Sequence, residues 1–383
     1  MLSSDTHIHA PQYANSGIFG KSTLLSWLET YTFPLESSFS SLSVAQRNYT
    51  RVVARTLSHG TTTACYHATV HVPATNLLAS ICQTMGQRAF IGRVCMDRMS
   101  PPYYRDESVA SAIADSRSCI EHVRAIDPTN ALITAVITPR FAPSCTEPVL
   151  RELGALHAET GVPCQTHISE NKDEIALVKR LFPESKSYTH VYDDAGLLTE
   201  KMILAHCVHL SAEERKLIKM RGAKVSHCPA SNTALTSGAA RVKQLLDEGI
   251  TVGLGTDVSG GYSSSVLEEV RHAIMVSRHV AMVDGDQGKL STEEALYLAT
   301  RGGAKVVGLE NRIGGFEVGM DWDAQMISLG TVSEDGNLVE GEGPVDVFGN
   351  ESWDDRIAKW VWNGDDRNTK AVWVKGRMVH RAI

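Results

Sequence analysis

A chain of 383 residues, 43% hydrophobic and 21% charged, has ordinary globular composition and room for one large domain with a smaller companion. Its formal net charge of −7 argues against a polynucleotide partner, which needs a basic face, but places no restriction on a small nucleobase. No apolar run approaches the roughly 20 residues of a membrane helix. MLSSDTHIHAPQY lacks the basic and apolar parts of a secretory signal. The eight scattered cysteines, with no Cys-x-x-Cys pair, read as reduced thiols rather than a disulfide framework, and the expected location is cytoplasmic.

The chain opens on DTHIH, which predicts a first strand bearing His7 and His9. Two residues apart on a strand, both imidazoles face the same side and can reach one ion. A helical pattern over 43–60 follows, stopped by Gly60. A unit then recurs: short apolar strand, polar loop, amphipathic helix. The strand candidates are 61–68, 89–96, 131–141, 163–169, 201–207, 223–229 and 251–257. Among the helices between them, 146–161 closes on Gly161, and 211–222 opens on the Ser211/Glu214 capping box. Eight strands alternating with helices predict a parallel sheet buried on both faces and closed into a barrel. Beyond about residue 310 the pattern changes to short strands and Gly-rich turns, expected to form a small β appendage. The predicted division is therefore a (β/α)8 barrel over 1–310 and a β segment over 311–383.

His167 stands near the end of the predicted fifth strand, His206 near the end of the sixth, and Asp257 ends the eighth. Barrel active sites are built at the C-terminal ends of strands, so these groups should converge with His7 and His9 at one mouth. Each alone has a plain reading: a chance His-x-His, a hydrogen-bonded core histidine, a Gly-Thr-Asp turn. The conjunction favours a metal site. Imidazoles plus a carboxylate suit zinc, with iron also acceptable on ligand type. Glu170, three residues past His167, can lean over a water at such an ion and carry its proton to a leaving group, although it also reads as an acid at a helix start. The other histidines default to structural or surface roles, with His67 and His227 near enough to strand ends to support the ligands from behind.

DTHIHAPQYA (5–14), ACYHATVH (64–71), TPRFAPSC (138–145), QTHISEN (165–171), AHCVHLS (205–211), HCPASN (227–232), GLGTDVSGGYS (253–263) and GDDRN (364–368) resemble, in order and over nearly the whole chain, the guanine deaminase family of the amidohydrolase superfamily. The resemblance implies a TIM-like barrel flanked by a small β-sandwich, and hydrolytic deamination of guanine to xanthine and ammonia in a homodimer. It implies one zinc on His7, His9, His167 and Asp257, with His206 facing the water or substrate. It implies Glu170 as proton shuttle, with Asp257 also accepting a proton, and Gln12, Arg140 and Phe141 as readers of the ring. Two other readings stay open: the same chemistry on 8-oxoguanine, a pterin or a triazine, and a non-catalytic binding or scaffold protein. The family's segment upstream of the His-x-His block is represented here only by MLSS. The first strand is therefore expected to be short, with few ladder bonds. The sandwich is expected to be incomplete, exposing apolar surface around Trp360, Trp362 and Trp373.

Overall fold

The computed structural model describes residues 3–341 and 343–382. All eight expected strands are present: β1 (Ser3–His9), β2 (Thr61–His67), β3 (Arg88–Cys95), β4 (Ile133–Pro139), β5 (Cys164–Ile168), β6 (Met202–His206), β7 (Lys224–His227) and β8 (Val252–Leu254). They lie in sequence order, each parallel to the next. Helices outside and packed side chains inside bury β1, β2 and β3 along their whole length, which is why they lack the alternation of half-exposed strands.

The expected short first strand needs correcting: at seven residues β1 is as long as β2 and β4 and longer than β5 to β8, and it is held from both sides. β2 ladders to it from Ser3↔Thr61 to His9↔His67. On the other side, the Asp257 amide donates to the His7 carbonyl (2.8 Å) and the His9 amide to the Val258 carbonyl (3.2 Å), closing the barrel seam. Asp5 staples the same seam, accepting from the Thr256 amide at 3.0 Å and the Thr256 hydroxyl at 2.5 Å. Gly255 is required there, because a Cβ would stand 2.7 Å from the His7 Cβ. Asp5→Ala is expected to cost about 1–3 kcal/mol by orphaning buried donors. Urea unfolding should show this as a lower midpoint at unchanged slope, and an unmoved midpoint would mean the seam closes without the staple.

The expected helix signals also hold. The helix Leu42–Ser58 is followed by Gly60 in the left-handed region (φ 82). At Ala212–Arg221, Ser211 Oγ accepts from the Glu214 amide while Glu214 accepts from the Ser211 amide, closing the capping box. All eight cysteines are buried free thiols. No helix among the described residues is long and apolar enough to cross a membrane.

The C-terminal region carries two three-stranded sheets. One orders β9 (Ala324–Ile327), β13 (Thr369–Val374) and β14 (Arg377–Arg381) around a central β13, and the other joins β10 (Gly330–Val332), β11 (Leu338–Glu340) and β12 (Asp346–Val347). Arg88, buried at the start of β3, reaches Asp321 (3.0 Å) and Asp323 (3.2 Å) and ties this region to the barrel. The expected tryptophan exposure needs correcting. Trp360 is buried on the inner face of the helix Trp353–Asn363, and Trp362 and Trp373 are half-buried. Among the described residues of this region the exposed aromatics are Trp353, Trp322, Phe316 and Phe348, which neither these strands nor the barrel covers.

Candidate active site

β1, β5, β6 and the residues just past β8 deliver His7, His9, His167, His206 and Asp257 to one end of the barrel, His167 partly exposed and the other four buried. Asp257 Oδ1 lies 3.2 Å from His7 Nε2 and 3.4 Å from His9 Nε2, and His9 Nε2 lies 3.0 Å from His167 Nε2. His206 Nε2 stands 3.8 Å from Asp257 Oδ2 and 3.5 Å from Glu170 Oε2. His167 Nδ1 is held by the Arg140 carbonyl at 2.6 Å and His206 Nδ1 by Asn232 Oδ1 at 2.9 Å, so each ring turns its other nitrogen to the centre. His7 Nε2 and His206 Nε2 are buried without a hydrogen-bond partner among the described residues, although both face carboxylate oxygens. Nitrogen lone pairs brought together and left unsatisfied are what a bound cation would use, so the residues present fit a metal.

Two ligand sets share His7: one with His167, His206 and Asp257, the other with His9 and His67. His67, at the end of β2, is fully buried, and neither ring nitrogen has a partner among the described residues. The sequence places it near a strand end, in reach to support the ligands from behind; the structure puts its ring within the histidine cluster itself. His227, at the end of β7, is buried and similarly without partners, but it does not enter either set.

Burial pushes His9 and His167 well below the ordinary imidazole range, keeping them neutral as metal binding requires. For His206 burial acts downward too, but the Glu170 and Asp257 carboxylates outweigh it and raise the ring. For Asp257 burial acts upward, and the His7 hydrogen bond with the surrounding imidazoles holds it well below the usual carboxylate range. Glu170 goes the other way: burial raises it to about 7, reinforced by Glu174 and Asp257 and opposed by His206 and the Ser237 hydroxyl. Two carboxylates at one mouth are thus driven apart, one a fixed anion and one able to exchange a proton near neutrality. Ser169 (φ 51), His206 (φ 73) and Asp257 (φ 45) all adopt left-handed backbone unusual for such residues, a strain the barrel holds in place at this mouth.

Above the cluster opens a cleft lined by His9, Gln12, Arg140, Phe141, His167, Glu170, His206 and Asp257, with an apolar cover from Leu24, Trp27, Leu28 and Leu235. Every site residue expected from the sequence except His7 lines this cleft, and His7 lies beneath it. Sequence reasoning missed Glu36. This carboxylate, 0% exposed, accepts from Arg140 (2.6 and 3.1 Å), the Gln12 amide (2.8 Å) and the Tyr104 hydroxyl (2.7 Å). It also missed Ser237, which donates to Glu170 at 2.9 Å, and Asn232 behind His206. Asn232 falls in the HCPASN block, so a signal existed for it; Glu36 lies in no such block.

The amidohydrolase family model matches residues 4–379. A probable guanine deaminase of Schizosaccharomyces pombe is 51% identical over 98% of this chain and 70% of its own length. The human guanine deaminase is 42% identical over 98% of this chain and 81% of its own. Among solved structures, a guanine deaminase from C. acetobutylicum with guanine bound in its active site superposes with a TM-score of 0.90 at 35% identity, covering 99% of this chain and 86% of that one. The chain belongs to the amidohydrolase family, and within it to the guanine deaminases.

Proposed function

We propose that this enzyme hydrolyses guanine to xanthine and ammonia. The observation that carries this reading is a single cleft whose floor is the His/Asp cluster with Glu170 and whose wall presents Arg140, Gln12 and Phe141. The close relatives named guanine deaminases support it. They also weigh against a scaffold role, as does the intact cluster.

The proposed cofactor is one zinc per chain, held by His7, His9, His167 and Asp257, with His206 turned toward the reacting water. Bound there, zinc would supply a Lewis acid that lowers the pKa of water to about 7. The chain's own groups do the rest. Arg140 donates to the ring carbonyl, and Gln12 offers a donor and an acceptor. Phe141 stacks on the flat ring, and the apolar cover excludes solvent. Glu170 takes one proton from the attacking water and delivers it to ring N3 as the oxygen bonds to C2. The second water proton passes to the amine, the C2–N bond breaks, and ammonia leaves. Asp257, ionised before the reaction, takes that second proton and relays it to the amine. The proposed boundary between barrel and small β region lies near residue 310, and the family resemblance supports a homodimer in the cytoplasm.

The test is metal analysis together with ammonia and xanthine release from guanine. About one zinc per chain with turnover is expected. A protein that releases ammonia from a pterin or triazine but not from guanine would overturn the substrate assignment.

Arg140→Ala is expected to raise KM for guanine by about 10- to 100-fold, since a lost charged hydrogen bond costs roughly 1.5–3 kcal/mol. It should also lower the melting temperature, because Glu36 is left buried without its cation. Unchanged guanine kinetics in a folded variant would place the ring elsewhere.

A further inference from the structure

Glu36 lies outside the cleft lining, yet it governs the wall that meets the ring. Its Oε1 accepts from Arg140 Nη2 (3.1 Å) and Gln12 Nε2 (2.8 Å), and its Oε2 from Arg140 Nη1 (2.6 Å) and the Tyr104 hydroxyl (2.7 Å). These four bonds tie three side chains to one carboxylate, two of them on the cleft wall. Arg140 spends two of its five N–H groups on Glu36, and the face of its guanidinium lies over the Phe33 ring at 5.2 Å. Gln12 is orientated without ambiguity, with its NH2 on Glu36 and its oxygen accepting from the Ser259 amide at 3.1 Å. Glu36 and Phe33 come from the short helix Phe33–Ser37. The turns before it carry Leu24, Trp27 and Leu28, so one segment builds both the cover and the back of the wall.

The consequence is electrostatic as well as geometric. Arg140 and Glu36 are both buried, in a region where an unbalanced guanidinium would attract an anion strongly. Paired, they present N–H donors with no net charge. Guanine is neutral. Its hydrolysis replaces an amine by a carbonyl and leaves a ring N–H flanked by two carbonyls, an imide-like and more acidic group. A lone guanidinium would therefore hold product in preference to substrate.

We propose that Glu36 sets the preference for substrate over product, by fixing the donors of Arg140 and Gln12 while cancelling the Arg140 charge, so that the pocket reads a neutral amino-oxopurine and releases the dioxopurine. Glu36 is a positioning residue, and the inference rests on the guanine deaminase reading.

The experiment uses the zinc-loaded full chain, as wild type, Glu36→Gln and Glu36→Asp. It measures guanine KM and kcat, and the affinities of xanthine and of hypoxanthine, a neutral 6-oxopurine, by calorimetry. Glu36→Gln is expected to tighten xanthine relative to hypoxanthine by about tenfold. Glu36→Asp, which keeps the charge but shortens the reach, should raise guanine KM while leaving that ratio near wild type. A merely structural role would weaken both purines in parallel. A ratio within about twofold of wild type in Glu36→Gln would overturn the inference. Should Glu36→Gln fail to fold, a shifted ratio in Glu36→Asp would overturn it just as well. Absence of guanine turnover in the wild type would overturn the parent reading instead, whereas turnover with an unmoved ratio removes this inference alone.

Discussion

Glu170→Gln is expected to lower kcat by about 100- to 10,000-fold while metal content stays at the wild-type level. Glutamine keeps the shape and the contact with Ser237, which lies 2.9 Å from Glu170 Oε1, but it cannot accept the water proton. Glu170 is 3.5 Å from His206 and outside both ligand sets, so the loss should fall on chemistry rather than on metal binding. Burial raises this carboxyl to about 7, and two further consequences follow. Wild-type kcat should fall as pH drops below about 7, because the protonated acid cannot take a proton. Stability should move the opposite way. A folded-state value above the unfolded one, near 4.5, means the folded protein binds the extra proton, so the ionised carboxylate costs stability as pH rises through this interval. Glu170→Gln removes that cost and should melt higher than wild type above neutral pH. Near-normal turnover in the variant would mean the shuttle lies elsewhere. A lower melting temperature in alkaline buffer would mean the side chain is chiefly structural.

The barrel and the floor of its mouth were legible because they depend on short-range rules. A strand buried on both faces writes itself as an unbroken run, as in TTTACYH, and a ligand strand as His-x-His. A strand-end histidine followed three residues on by an acid, His167 then Glu170, is likewise a local pattern. The wall was only half legible. Arg140 and Phe141 follow β4 directly, but their counterweight lies 104 residues earlier. Glu36 sits in the succession of short α, 3₁₀ and π turns between β1 and the helix Leu42–Ser58, where neither a 2-residue nor a 3.6-residue period marks an inward face. In sequence it is one acid after Phe-Pro-Leu, indistinguishable from a solvated helix residue. Only its bonds to Arg140, Gln12 and Tyr104 reveal that it is buried. Trp360 errs the other way. A tryptophan beside apparently unpartnered strands reads as exposed, yet it is on a helix, and its neighbour Val361 is fully buried.

Stripping the metal with a chelator is expected to abolish turnover and lower the melting temperature together, with both restored by about one equivalent of zinc. The activity loss should exceed about 1000-fold, since both water activation and placement of the nucleophile are removed at once. The thermal effect follows from which strands the proposed ligands occupy. His7 and His9 come from β1 and Asp257 from just past β8, the two strands that meet at the barrel seam, while His167 comes from β5 on the far side. An ion shared among them would link the seam across the barrel interior. Without it, Asp257 remains an anion surrounded by largely neutral imidazoles, and unsatisfied nitrogens stay buried. An ion present at about 1000 times its dissociation constant stabilises the fold by roughly 4 kcal/mol, which for a chain of this size is several degrees. His9→Ala should remove most of that zinc-dependent shift. Asp5→Ala, which weakens the seam but leaves the ligands in place, should lower the baseline and keep the shift. A melting temperature indifferent to zinc, in a preparation whose deaminase activity survives chelation, would overturn both the cofactor assignment and the proposed mechanism.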